Sequence, residues 1–290
     1  MSEAMQHWAW RHALRLAIVG ALSVWAVGCV SMRARADRDW YPYLGRTAQV
    51  ELVEGAFAVS PVSDWTYSPQ APLTQAYTEA SYNIEDVQAV WFVLEPQPGS
   101  QLAAHTLLLF EFPGDRLLGL TIEARRENNE DYSAIRGIFN AYELAYVWAE
   151  ARDLLTRRAV MLAHDVFVYP VSITDEQKRV LLRRLLERTD ALETTPRFYN
   201  TLSSNCTNEL AKAAGFDWAP AFILTGTSDE YLYDRGIIPG ESFEAAHASS
   251  DLTDFVAANS ALDAAAFDRA LLRELRQRLE LGERVSRSDG

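Results

Sequence analysis

Two of the 290 residues are cysteines, Cys29 and Cys206, and the second stands where chemistry can be built. It lies in SSNCTNEL, directly after Ser203, Ser204 and Asn205, whose short polar side chains accept hydrogen bonds from first-turn N–H groups and so start helices. The thiol is therefore predicted in the first turn of a helix, where unpaired N–H groups and the positive end of the dipole stabilise an anion. A thiol so placed can ionise well below its ordinary pKa of ~8.5. Once the thiolate attacks a carbonyl, the same N–H groups can receive the oxyanion. Asn205 either adds its amide to that oxyanion site or caps the helix.

A nucleophilic thiol needs a base, and the chain holds five histidines. His7 and His12 precede a long apolar run, and the sequence supplies no partners for His164 and His247. His105 opens HTLLLFEF (105–112), which RLLGLTIEA (116–124) follows across the loop PGD, a pattern that predicts a hairpin. A loop symmetric about Gly114 pairs Phe112 with Arg116 and, continuing outward, His105 with Glu123. Side chains opposite one another across a hairpin share a face, with Cβ atoms about 5 Å apart. A carboxylate there fixes the imidazole's tautomer and raises its basicity, the role of the third member of a catalytic triad. Metal is not expected, because there is no HExxH and no pair of Cys or His at ligand spacing. Thiol chemistry of this kind requires no cofactor.

The elements that must hold these residues are partly legible. QVELVE (49–54) alternates like a strand, and 60–86, rich in Ser, Pro, Tyr and Thr, reads as loops. DVQAVWFVLEP (86–96) reads as a strand, followed by the turn PQPGSQ, the hairpin and a polar loop at 127–134. ELAYVWAE, AVMLAHDV and VFVYPV suggest further strands between 142 and 171, the first equally readable as a helix. Thr174 and Gln177 have capping-box spacing ahead of Val180, Leu181, Leu185, Leu186 and Leu192, which predicts a helix over 175–192. A second helix starts near Cys206 and stops at Gly215, and a last amphipathic helix covers about 262–281. Strands first and helices after indicate an α+β fold.

Composition excludes some functions. With 27 Lys+Arg against 40 Asp+Glu, a formal charge of −13, and no basic stripe, a nucleic-acid partner is not expected. Arg11 and Arg15 precede the uncharged run Leu16 to Met32, the layout of an export signal or a short signal anchor. AVGC, Ala26 to Cys29, resembles the lipobox of bacterial lipoproteins, which implies lipidation at Cys29 and a membrane-held protein on the periplasmic side of the envelope. Cys206 is then left without an intramolecular partner in an oxidising compartment.

HTLLLFEF, LTIEARRENNEDYS, YELAYVWAEARDLL, VYPVS and PRFYNTLSSNCTNEL together resemble the Lnb N-terminal periplasmic domain family, over about residues 37–250. Some members are implicated in lipoprotein N-acylation, and the resemblance implies a circularly permuted papain-like fold of the NlpC and lecithin:retinol acyltransferase kind, an antiparallel sheet followed by the helix bearing the cysteine. It implies Cys206 as nucleophile, His105 as general base and Glu123 as orienting residue, with Arg125, Arg126, Glu130 and Tyr199 as residues that could line the site. Acylating members carry a transmembrane region after this domain, whereas this chain ends in RVSRSDG, so the expectation is that a lipid-binding half is either absent or supplied by a membrane-protein partner.

The expected organisation is a signal peptide or anchor over 1–36, the domain over 37–250, and an amphipathic helix with a polar tail over 251–290. The expected activity is a thiol acyltransferase or hydrolase that forms a thioester on Cys206 and acts on a lipoprotein or phospholipid. The rivals are a cysteine amidase or peptidase of cell-wall peptides and a noncatalytic envelope scaffold.

Overall fold

Alternating apolar residues become strands of one mixed sheet among the described residues. The strands are β1 (Gln49–Val53), β2 (Ala56–Ser68), β3 (Ala71–Asn83), β4 (Ala89–Pro96), β5 (Ala104–Phe112), β6 (Arg116–Arg125), β7 (Tyr142–Glu150), β8 (Phe167–Pro170) and β9 (Phe198–Tyr199). Their order is β1-β2-β7-β6-β5-β4-β8, with β3 on β2 and β9 on β7. The β2–β7 contact is parallel and the other pairings are antiparallel. The computed structural model describes residues 10–12, 14–16, 18–20 and 33–288. It divides into two units, Met1–Ala36 and Asp37–Gly290. In the first unit the described stretches between 10 and 20 are helical, and Cys29 with its AVGC motif lies outside the described residues. Among the described residues no helix is long and apolar enough to cross a membrane.

Helices cover both faces of the sheet, which makes the second unit α+β. They are α1 (Ala134–Ile138), α2 (Ala151–Thr156), α3 (Asp175–Thr194), α4 (Cys206–Ala214), α5 (Ser228–Asp234), α6 (Phe243–Ser250), α7 (Thr253–Ala258) and α8 (Ala264–Ser288). Because strand side chains alternate in direction, Leu108 and Phe110 of β5 join Leu181, Leu182, Leu185 and Leu186 of α3 and Leu210 of α4 on one face. Leu107 and Leu109 join Leu154 and Leu155 of α2 and Phe267, Leu271 and Leu275 of α8 on the other. Each such leucine contributes roughly 1.5–3 kcal/mol by burial. The approach of α2 depends on Gly119 of β6, where an added Cβ would stand 2.3 Å from the Leu154 side chain.

Two expectations need correction. Residues 60–86 are mostly strand: β2 and β3 form a long hairpin in which Phe57, Val59, Val62, Trp65 and Tyr67 are buried. Thr and Tyr favour strands, and a register shift between Val59 and Val62, around Pro61, interrupts the alternation that would have revealed it. β3 is exposed along most of its length and so carries no alternation. AVMLAHDV is not a strand either. The chain runs from α2 directly into a π-helix, Arg157–Leu162, which stops at Ala163 in the left-handed region with φ 53°. A short apolar run does not distinguish strand from buried helix by periodicity. The structure also adds α1, α5, α6 and α7, too short for a periodic signal, while ELAYVWAE resolves as β7.

Candidate active site

The capping residues ahead of Cys206 do what their chemistry predicts. Asn205 is the N-cap of α4, its Oδ1 accepting from the Asn208 N–H at 2.8 Å. Its Nδ2 donates to the carbonyls of Thr201 (2.8 Å) and Phe222 (2.7 Å). The amide is thus spent on capping and cross-linking, which leaves the first-turn backbone N–H groups as oxyanion donors. One turn on, fully buried Glu209 accepts from Ser204 Oγ and Tyr146 and pairs with Arg188, Arg197 and Lys212. Burial opposes ionisation there, but the hydrogen bonds of Arg197, Lys212 and Ser204 hold the carboxyl at about 2. This cluster fixes α4 against α3 and β7. Gly215 ends the helix in the left-handed region at φ 84°.

The β5–β6 register follows the symmetric loop. Recorded pairs run from Phe112↔Arg116 to Leu107↔Thr121, so one pleat further Glu123 lies opposite His105, and His105 Nε2 stands 3.2 Å from Glu123 Oε1. The Thr121 hydroxyl bridges them, donating to Glu123 at 2.8 Å and lying 2.6 Å from Nε2. Since that hydroxyl proton goes to the carboxylate, Nε2 is the donor to Thr121, and Nδ1 is the nitrogen left for the thiol. On the other side Glu95 of β4 pairs in register with His105. Buried Arg158, in the π-helix, joins the two carboxylates, 2.8 Å from Glu95 Oε2 and 3.3 Å from Glu123 Oε1. His164 closes the far end on Glu95.

Cys206 is buried and interacts with the same imidazole. Burial alone raises the thiol's pKa, but the charge and hydrogen bond of His105, with the backbone N–H and hydroxyl of Thr106, pull it down to about 7. For His105 burial acts to lower the pKa, and the charges of Glu123 and Cys206 outweigh it and push it up. Glu123, which burial would raise, is held well below the usual carboxylate range by His105, Arg158 and Arg157. The resting pair that these shifts favour is thiolate and imidazolium. A thiolate at a helix start beside an imidazolium oriented by a carboxylate can attack a carbonyl carbon.

The matched region encloses this geometry. A family model, the Lnb N-terminal periplasmic domain, matches residues 74–232. The chain belongs to that family. No curated protein and no solved structure matches the chain significantly. The matched stretch holds both β5 and α4, so the Lnb N-terminal domain here carries the whole Cys206–His105–Glu123 arrangement. Among the described residues no group of three or more His, Cys, Asp or Glu is arranged to hold a metal.

Of the other candidates, Tyr199 reaches the site. Its hydroxyl lies 3.2 Å from that of Tyr132, and burial first, then the charge of Cys206, pushes its pKa up, so it remains a neutral phenol beside the thiol. Arg125, Arg126 and Glu130 belong elsewhere. Arg125 donates to the carbonyls of Leu44 and Gly45 and stacks on Trp40. Arg126 donates to the Glu130 carbonyl and stacks on Tyr41, and Glu130 accepts from the Glu127 N–H and pairs with Arg136. These three brace the end of β6 and the loop after it, and their partners include the chain near residue 40.

Sequence reasoning missed Glu95, Thr121 and Arg158. The turn PQPGSQ did not fix the β4–β5 register, because the loop extends to Ala103 and the pairing Pro96↔Ala104, Glu95↔His105 is centred on Ser100. Thr121 was legible as the residue two before Glu123 on the same face. Arg158 gave no signal, since its carboxylate partners lie on strands far from it in sequence. An apolar cavity lies along the back of α4, lined by Phe92, Leu108, Leu181, Leu210 and Phe222 among others, with Thr207, the residue after Cys206, on its wall.

Proposed function

We propose that this Lnb N-terminal domain protein is a membrane-held envelope thiol acyltransferase or hydrolase with Cys206 as nucleophile. The observation that carries the reading is the placement of Cys206 at the first position of α4 beside His105, whose Nε2 is held by Thr121 at 2.6 Å and Glu123 at 3.2 Å. The thiolate attacks an ester or amide carbonyl, and the oxyanion is received by the first-turn N–H groups of α4. Imidazolium Nδ1 gives its proton to the leaving alcohol or amine as the carbonyl–heteroatom bond breaks, leaving a thioester on Cys206. An incoming amine or water then gives a proton to the neutral imidazole as it attacks, and the thiol departs as thiolate. Glu123, with Thr121, keeps Nε2 in its donor state throughout.

The order of a histidine on an upstream strand and a cysteine at the start of a later helix supports a circularly permuted papain-like, NlpC-type arrangement. The apolar cavity behind α4 supports an apolar acyl group over a wall peptide, in keeping with a lipoprotein or phospholipid substrate and with lipidation at Cys29. The test is intact-mass spectrometry after incubation with a diacyl phospholipid. A hydroxylamine-labile gain of one acyl chain is expected in the wild type and absent in Cys206→Ser. Labelling by a wall peptide instead favours the amidase reading, and no adduct with either substrate sinks the nucleophile assignment.

A further inference from the structure

The loops framing Cys206 carry little charge and several exposed apolar side chains. Arg136 is the one charged residue in the four stretches 97–103, 132–139, 200–205 and 218–227, although 23% of all residues are charged. Those stretches hold Leu102, Ile135, Phe139, Leu202, Trp218 and Leu224, all exposed, Ile135 to 71% and Trp218 to 64%. Leaving such side chains in water is unfavourable, and several on one rim mark a surface that meets something apolar.

Hydrogen bonds tie the stretches into one rim. Thr225 Oγ1 donates to the Ala104 carbonyl at 2.7 Å, and Gly226 N–H donates to the Leu102 carbonyl at 3.1 Å. Asn205 Nδ2 links the carbonyls of Phe222 and Thr201. Thr201 Oγ1 donates to the Ala134 carbonyl at 2.7 Å, and Asn200 Nδ2 to the Ile138 carbonyl at 3.0 Å. Asn205, at the centre of this chain of contacts, immediately precedes Cys206.

A cationic cluster lies beside the rim. Arg188, Arg197 and Lys212 share one carboxylate, Glu209. Lys212 Nζ donates to the Ser203 carbonyl and Arg197 Nη2 to Ser204 Oγ, so these cations lie against the rim itself. Three cations share one carboxylate in this cluster, on a chain of formal charge −13, while exposed Asp131 and Asp217 immediately precede two of the four stretches.

We infer that this rim seats on a lipid bilayer, its apolar tips entering the acyl boundary and its cations meeting anionic headgroups. Apolar side chains on separate loop tips above a cationic band suit an interface that offers no fixed register. A protein partner would instead be met by a continuous apolar core with polar groups placed around it. The inference rests on surface composition and holds whether or not Cys206 is a nucleophile.

Amide hydrogen exchange of the full chain in vesicles containing phosphatidylglycerol tests it, comparing wild type with Ile135→Asp/Leu224→Asp. All four stretches are expected to exchange on the order of tenfold faster in the variant, including 97–103 and 200–205, where nothing was changed. β5 and β6 should be unaltered, which reports that the variant folds. Lys212→Gln should raise exchange in anionic vesicles and leave it unchanged in zwitterionic ones. Equal exchange in wild type and variant overturns the inference, as does protection that appears only when envelope proteins are added to the vesicles.

Discussion

Two histidines in this domain sit in nearly the same company. His105 has Glu123 at 3.2 Å and the Thr121 hydroxyl at 2.6 Å, and His247 has Asp229 at 3.2 Å and the Tyr169 hydroxyl at 2.6 Å. In both trios the hydroxyl also donates to the carboxylate. The difference lies on the far side of each ring. His247 stacks on Phe167 with centroids 4.2 Å apart, and its trio staples α6 and α5 to β8. His105 instead meets a thiol, and buried Arg158 balances its carboxylate. An imidazole, a carboxylate and a hydroxyl in hydrogen-bond contact are therefore ordinary structural material. The thiol and the guanidinium make one of the two trios a candidate for chemistry.

Iodoacetamide alkylation of Cys206 separates the two trios most sharply. The wild-type rate should rise through about pH 7, where the thiol ionises, and level off above it. In His105→Ala the depressing charge is gone while burial remains, so the midpoint moves above ~8.5 and the rate at pH 7 falls by more than about tenfold. A wild-type midpoint already above ~8.5 would erase the distinction. Glu123→Gln should have a smaller effect, about tenfold on turnover, with the alkaline limb that reports imidazolium loss moving to lower pH because the carboxylate that raises His105 is absent. An unchanged alkaline limb would reduce Glu123 to a strut. His247→Gln should leave alkylation as it is and lower stability by about 1–2 kcal/mol, read by thermal unfolding. Slowed alkylation in that variant would show that the two trios are coupled.

The legible half of the site was the half set by local rules. The capping run before Cys206 and the symmetric PGD loop each depend on a few consecutive residues, and together they located the thiol and set His105 beside Glu123. The long helix over 175–192 and the strand at 86–96 followed from periodicity in the same way. What escaped were features decided by the rest of the fold. β3 shows no alternation because it is an exposed edge strand, and the β2 pattern is interrupted at Pro61. Arg125 and Arg126 sit two and three residues from Glu123, yet they serve the chain around Trp40 and Tyr41. The AVMLAHDV run reads as a strand because nothing in its composition marks a wider helical turn.

That wider turn carries a consequence for relatives of this chain. A π-helix closes each hydrogen bond over one residue more than an α-helix, and Arg158, between Glu95 and Glu123, stands in its first turn while His164, also on Glu95, lies just past its end. A homologue with one residue fewer between this arginine and His164 would close the stretch as an ordinary α-helix, and the guanidinium and imidazole that both pair with Glu95 would lose their spacing. Chain length across 157–162, as much as residue identity, is then the mark by which a sequence with a balanced His105 pocket can be told from one without.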